Sequence, residues 1–119
     1  MKSTLIAIAV VLAVVAGLVL TPSHGSAKMD MEQMVTAAKT AADHENLAKH
    51  YEAMAAEARA KAEMHQKMAA AYRKEGGAIV SKLHFDEHCD ALVRSFKAEA
   101  DEYDALAKAE WEMAKEMKK

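Results

Sequence analysis

His65, Met68, His84, His88 and Cys89 are the residues of this chain whose types and spacing could hold a metal. His84 and His88 stand at i and i+4, on adjacent turns of one face if the segment is helical. Imidazole serves copper and zinc alike, and sulfur ligands favour Cu(I). Three histidines with Met64, Met68 and Cys89 nearby would therefore suit copper or zinc. A second set of soft donors gathers at the chain ends, Met29, Met31 and Met34 with Met113 and Met117. Against this, methionine at helical spacing more often fills gaps in packing than ligates. Histidines on an apolar stripe of alanine-rich helices commonly pack there in the same way.

The stretch His84-Phe85-Asp86-Glu87-His88 also fits the H-x-x-E-H pattern of inverted zinc proteases, in which two histidines bind zinc and the glutamate acts as base. With three fixed positions the pattern arises readily by chance in a helix rich in Glu and His. Other catalytic signatures are missing from the sequence: there is no Glu-x-x-His for a di-iron bundle and no C-x-x-C-H for haem attachment. No glycine-rich phosphate loop occurs either, and Ser81 and Ser95 lack the context of a nucleophile elbow. His88 and Cys89 are neighbours on a helix and point about 100° apart, so they are no catalytic pair. The chain is therefore expected not to be an enzyme.

Whatever chemistry these side chains do, two long helices must position them. Glu75-Gly76-Gly77-Ala78 is the strongest breaker after the N-terminal segment, and the runs on either side are alanine-rich and free of proline. The first run repeats at three-four spacing through His44, Leu47, Tyr51, Met54, His65 and Tyr72, and the second through Phe85, His88, Leu92, Phe96, Tyr103 and Leu106. Ala, Glu, Lys, Met and Gln are strong helix formers. Glu45 with Lys49, Glu57 with Lys61 and Glu63 with Lys67 add support at i, i+4.

The spacing predicts helices over about 31–74 and 78–117, joined by a turn at 76–77, in an all-α, coiled-coil-like antiparallel hairpin. A reversal at the glycines sets Leu47 opposite Leu106, Tyr51 opposite Tyr103, His44 opposite Glu110 and His65 opposite His88. Lys61, Glu99 and Glu110 interrupt the apolar seam, which suits either the rim of a four-helix bundle or loose packing at those positions. A shift of 45 residues aligns Leu47, Tyr51, Ala55 and Glu57 with Leu92, Phe96, Ala100 and Glu102, an internal repeat. Two copies make a hairpin; a solenoid needs at least three.

Residues 1–27 read as a secretory signal peptide: a basic Met1-Lys2, an apolar run from Leu5 to Leu20, then small and polar residues up to Ala27. The apolar run, about 16 residues, is short for a span needing roughly 20. Residues 28–119 then form the mature hairpin, exported to the periplasm or the medium, with no stable membrane span once the signal is cleaved. The formal net charge of −2 is made of interspersed opposite signs, with no basic stripe, so nucleic acid is not expected as a partner. Cys89 is the only cysteine, so no disulfide forms within one chain. Much of the apolar content is alanine, which buries little area, and two such helices offset the ordering entropy poorly. A second hairpin, as a homo-oligomer or another helical protein, is expected to complete the core, with Trp111 packing against it. The sequence thus points to an exported, non-enzymatic structural or interaction module of the cell envelope. The alternative is a small periplasmic soft-metal protein that binds copper or zinc through His65, His84, His88, Met68 and Cys89.

Overall fold

A computed structural model of the protein describes residues 30–119. The expected signal segment and Met29 lie outside them. The described chain is helical throughout: α1 (Met31–Ala37), α2 (Ala41–Glu75), α3 (Gly77–Leu83) and α4 (Phe85–Met117). The long helices α2 and α4 pack side by side and antiparallel, forming the predicted hairpin. None of the described helices is long and apolar enough to cross a membrane.

The first predicted helix is broken near its start. Asp30 caps α1 by accepting from the Glu32 N–H at 3.1 Å, and the chain turns extended at Ala38. Thr40 then opens α2 with a reciprocal cap. Its Oγ1 accepts from the Asp43 N–H at 3.2 Å, while Asp43 Oδ2 accepts from the Thr40 N–H at 2.9 Å and the Lys39 N–H at 3.0 Å. These backbone donors hold the Asp43 carboxyl below the usual carboxylate range. Residues Thr40-x-x-Asp43 carry the capping-box signature, so the start of α2 at this point is encoded locally.

The reversal also differs from a two-residue turn. Gly76 remains helical at φ −78° and closes α2 by donating its N–H to Tyr72. Gly77, at φ +62°, makes the break. The chain then winds through α3 and breaks again at His84, which takes a left-handed φ of 56°. Histidine is among the few non-glycine residues enriched in that region. The corner therefore occupies Gly76 to His84, and the centre of the reversal moves past the glycines. Arg73 locks it by pairing with both Asp86 and Asp90 at the start of α4.

Alanine forms the closest track between the helices. Ala48, Ala55, Ala62 and Ala69 on α2, and Ala100, Ala107 and Ala114 on α4, recur every seventh residue and are all buried. A strict seven-residue repeat is the period of a left-handed coiled coil, and a methyl-only seam lets backbones approach closely. Leu47 is the only large side chain among the described residues that is fully buried.

The predicted seam lies beside this track, not on it. Its aromatic members stack across the helices: Tyr51 on Tyr103 with ring centroids 6.3 Å apart, as expected, and Tyr72 on Phe85 at 5.3 Å. His44 and Glu110 meet as predicted, Nδ1 to Oε2, at 2.5 Å.

On the opposite flank runs a polar ladder, again with a seven-residue step. Glu45 pairs with Lys118, Trp111 Nε1 donates to Glu52 at 2.7 Å, Arg59 pairs with Asp104, and Arg73 with Asp90. Gln66 and Lys97 line a shared groove at the rung between.

Candidate functional site

The five predicted metal ligands sit near one end of the hairpin in unlike environments. His65 is half-buried and stacks on Phe96, with ring centroids 5.6 Å apart and planes 16° from parallel. That places it about two turns along α4 from His88, its expected partner. The Tyr51–Tyr103 and His44–Glu110 contacts keep the expected register, so the His65 ring reaches toward the far end of α4 to stack on Phe96 while the helices farther from the corner pair as expected. The Nδ1 of His65 is buried and has no hydrogen-bond partner.

His84 is exposed and forms the α3–α4 break, with Nδ1 3.2 Å from Glu87 Oε1. His88 is exposed, and its backbone N–H donates to the His84 carbonyl at 3.0 Å as the first bond of α4. Cys89 is a free, buried thiol packed at 5% exposure. Met68 is partly exposed and lines an apolar recess with Ala71, Tyr72 and Val80. Among the described residues no three of His, Cys, Asp or Glu stand together in a group able to hold a metal ion. The structure therefore does not gather His65, His84, His88, Met68 and Cys89 into one ligand cluster.

Trp111 lies half-buried on the ladder flank and is satisfied inside the hairpin by Glu52.

What the fold does assemble is an open apolar face on the side away from the ladder. On α4 one seven-residue track carries Phe85, Leu92, Leu106 and Met113, exposed at 40%, 41%, 43% and 50%. The missing member of that track is Glu99. On α2 the matching track carries Leu47, Met54 and Met68, and its missing member is Lys61. Lys61 and Glu99 line one shallow recess together with Met54, Ala58 and Tyr103, so the two interruptions lie level with each other. Lys61 Nζ also reaches over the Phe96 ring, 5.8 Å from its centroid. The Glu57 carboxylate, bonded at 2.9 Å, raises the Lys61 pKa, and Glu99 adds to this from across the face. Glu99 itself makes no ion pair among the described residues.

At the end remote from the corner, Met34, Ala37 and Ala38 around α1 line a pocket with Leu47 and His50. The face thus starts where α1 leaves off, at Met54, and runs to the corner.

This class of protein is defined by its fold: an alanine-seamed antiparallel hairpin with one polar flank and one apolar face. Comparison of the chain with protein-family models, curated proteins and solved structures finds no match. Nothing beyond the chain's own residues therefore assigns the face a role.

Proposed function

We propose that this protein is an exported, non-enzymatic helical module of the cell envelope that acts by packing its open apolar face against another helical surface. One observation carries the reading. Among the described residues the hairpin is two-sided, with the cross-helix ion pairs other than His44–Glu110 on the ladder flank or at the corner, and a row of large apolar side chains 40–50% exposed on the face. Exposed apolar groups scattered singly are ordinary, whereas a row gathered on one face, broken here only at Lys61 and Glu99, is the mark of an interaction surface. The signal-peptide layout of residues 1–27 supports export. The alanine seam supports the need for a partner, since methyl groups remove little apolar area from water. Metal binding draws no comparable support, because its proposed ligands are dispersed.

Photo-cross-linking in cells that express the full chain tests this. A benzoylphenylalanine at Leu92 or Leu106 is expected to give a discrete protein adduct, and one at Gln66 or Lys97 on the ladder flank none. Absence of any adduct from both face positions would remove the interaction reading.

A further inference from the structure

We propose that the partner on the apolar face is a second copy of this chain, and that the two hairpins pair about a two-fold axis parallel to their helices. The inference rests on the interaction reading above and deepens it by naming the occupant.

The charges select both the partner and its orientation. Each apolar track is interrupted once, by Lys61 on α2 and by Glu99 on α4, at the same level along the hairpin. Two like faces can stack in two symmetric ways. With the axis across the helices, each helix lies on its own copy, so Lys61 meets Lys61 and Glu99 meets Glu99. With the axis along the helices, α2 of one copy lies on α4 of the other. Lys61 then lies over the partner copy's glutamate at 99, and Glu99 over its lysine at 61. The same operation sets Met68 over a leucine at 92 and Met54 over a leucine at 106, so apolar meets apolar along the track. Like charges facing each other in a closing interface are costly, and complementary ones fix the register.

A two-fold relation makes the surface self-complementary, as an isologous dimer needs. Every helix in the result has antiparallel neighbours, the up-down-up-down arrangement of four-helix bundles. The size is adequate as well. From Met54, level with Leu106, to the corner the face extends over about 21 residues of α4, about 32 Å at about 1.5 Å per residue. Two helices each about 10 Å across then give about 640 Å², inside the range of about 600–1,000 Å² per partner that standard stable interfaces cover. Phe96, Tyr103 and His65, only half-covered in the single hairpin, would lie at its centre.

The test exploits the reciprocity of the two contacts. By sedimentation equilibrium the protein, purified with the N-terminus its host leaves, is expected to be a dimer. Lys61→Glu alone and Glu99→Lys alone each set like charges together twice per dimer and should weaken dimerisation at least about tenfold. The double variant Lys61→Glu/Glu99→Lys should recover it. Mixing the two single variants should give a heterodimer, because each then supplies the charge the other needs. A monomer at all concentrations, single variants that stay dimeric, or a mixture that fails to form the heterodimer would each overturn the proposal. Leu92→Asp gives a second arm that leaves the charges alone. Leu92 is exposed in the hairpin, so helical circular dichroism should persist while the dimer is lost, and a persisting dimer would overturn the proposal. The cross-linking above separates the two levels. An adduct of twice the chain mass supports the second copy, an adduct of another mass overturns it while the interaction reading stands, and no adduct removes both.

Discussion

Trp111 donates its indole N–H to Glu52 across the hairpin, 2.7 Å between heavy atoms and 59 residues apart in sequence. The contact is one rung of a ladder whose other bonded rungs are ion pairs, and the ladder supplies something the alanine seam cannot. Alanine repeats identically every seven residues, so sliding α4 by one heptad would match methyl to methyl again. The ladder forbids the slide: moved one way, Glu52 faces Asp104 and Arg59 faces Lys97; moved the other way, Arg73 faces Lys97. Register is therefore written in charge, and packing alone leaves it open.

Reversing one rung tests this. Arg59→Asp sets two carboxylates together with Asp104, and Asp104→Arg sets two guanidiniums together. Both groups are about half exposed, where single ion pairs contribute little, so each variant should lower Tm by only a few degrees. The exchange Arg59→Asp/Asp104→Arg should restore the wild-type midpoint. A double variant no better than the sum of the singles would show that the rung does not operate as a pair.

The alanine seam gives a larger effect. Ala55 is fully buried, and Ala56 beside it is exposed. Ala55→Leu must separate the helices or force strained rotamers, at a cost of about 1–3 kcal/mol. Ala56→Leu meets only solvent and should stay within about 0.5 kcal/mol of wild type. Urea melts of the two variants check the contrast. Equal tolerance at both positions would mean that the helices do not approach along Ala48, Ala55, Ala62 and Ala69.

These two features also mark the boundary of what the sequence discloses. The hairpin, the stacking of Tyr51 on Tyr103 and the meeting of His44 with Glu110 are legible, because large residues at three-four spacing announce a stripe and the double glycine announces a break. The true seam is not legible in the same way. Alanine is abundant on every face, so its buried members carry no amphipathic contrast, and the larger residues beside them draw the eye. The corner misleads for a related reason. One of the two left-handed positions belongs to His84 and not to a glycine, so the length of the reversal is hidden, and the stacking of His65 on Phe96 instead of beside His88 is not announced by any spacing. The apolar face was visible only as defects: Lys61 and Glu99 look like errors in a seam until the structure places them level on an open surface.

Acid should loosen α2 from its N-terminal end. Asp43 has its carboxyl held low by the Lys39 and Thr40 backbone donors, Glu45 by Lys118, and Glu63 by Lys67. A carboxyl with a lowered folded-state pKa contributes stability above its unfolded value and loses that contribution as pH falls through the folded value. The contribution of these carboxyls should thus be constant through neutral pH and decline below the usual carboxylate range. Asp43→Asn keeps the size and removes the titration. It should lower Tm at pH 7, where the cap is ionised, and narrow the gap between wild type and variant as the pH drops toward 3. Parallel pH profiles for the two proteins would place the acid sensitivity elsewhere.

Tight metal binding through the sequence-predicted cluster should not be found. To bring His65 to a metal shared with His88, the imidazole must leave Phe96, and Cys89 must leave a site only 5% exposed. His84 would have to swing in from the left-handed break that ends α3. Each movement lowers the fraction of molecules competent to bind, and the apparent affinity falls by that fraction. Anaerobic titration with Cu(I), Cu(II) and Zn(II) is therefore expected to reveal no submicromolar site that depends on these residues, with the same isotherms for wild type and for His65→Ala/His88→Ala. A submicromolar site present in the wild type and lost in that double variant would mean that the corner rearranges around a metal. The release of Cys89 would report the same event independently: its alkylation, slow in the closed hairpin, would change on adding the ion.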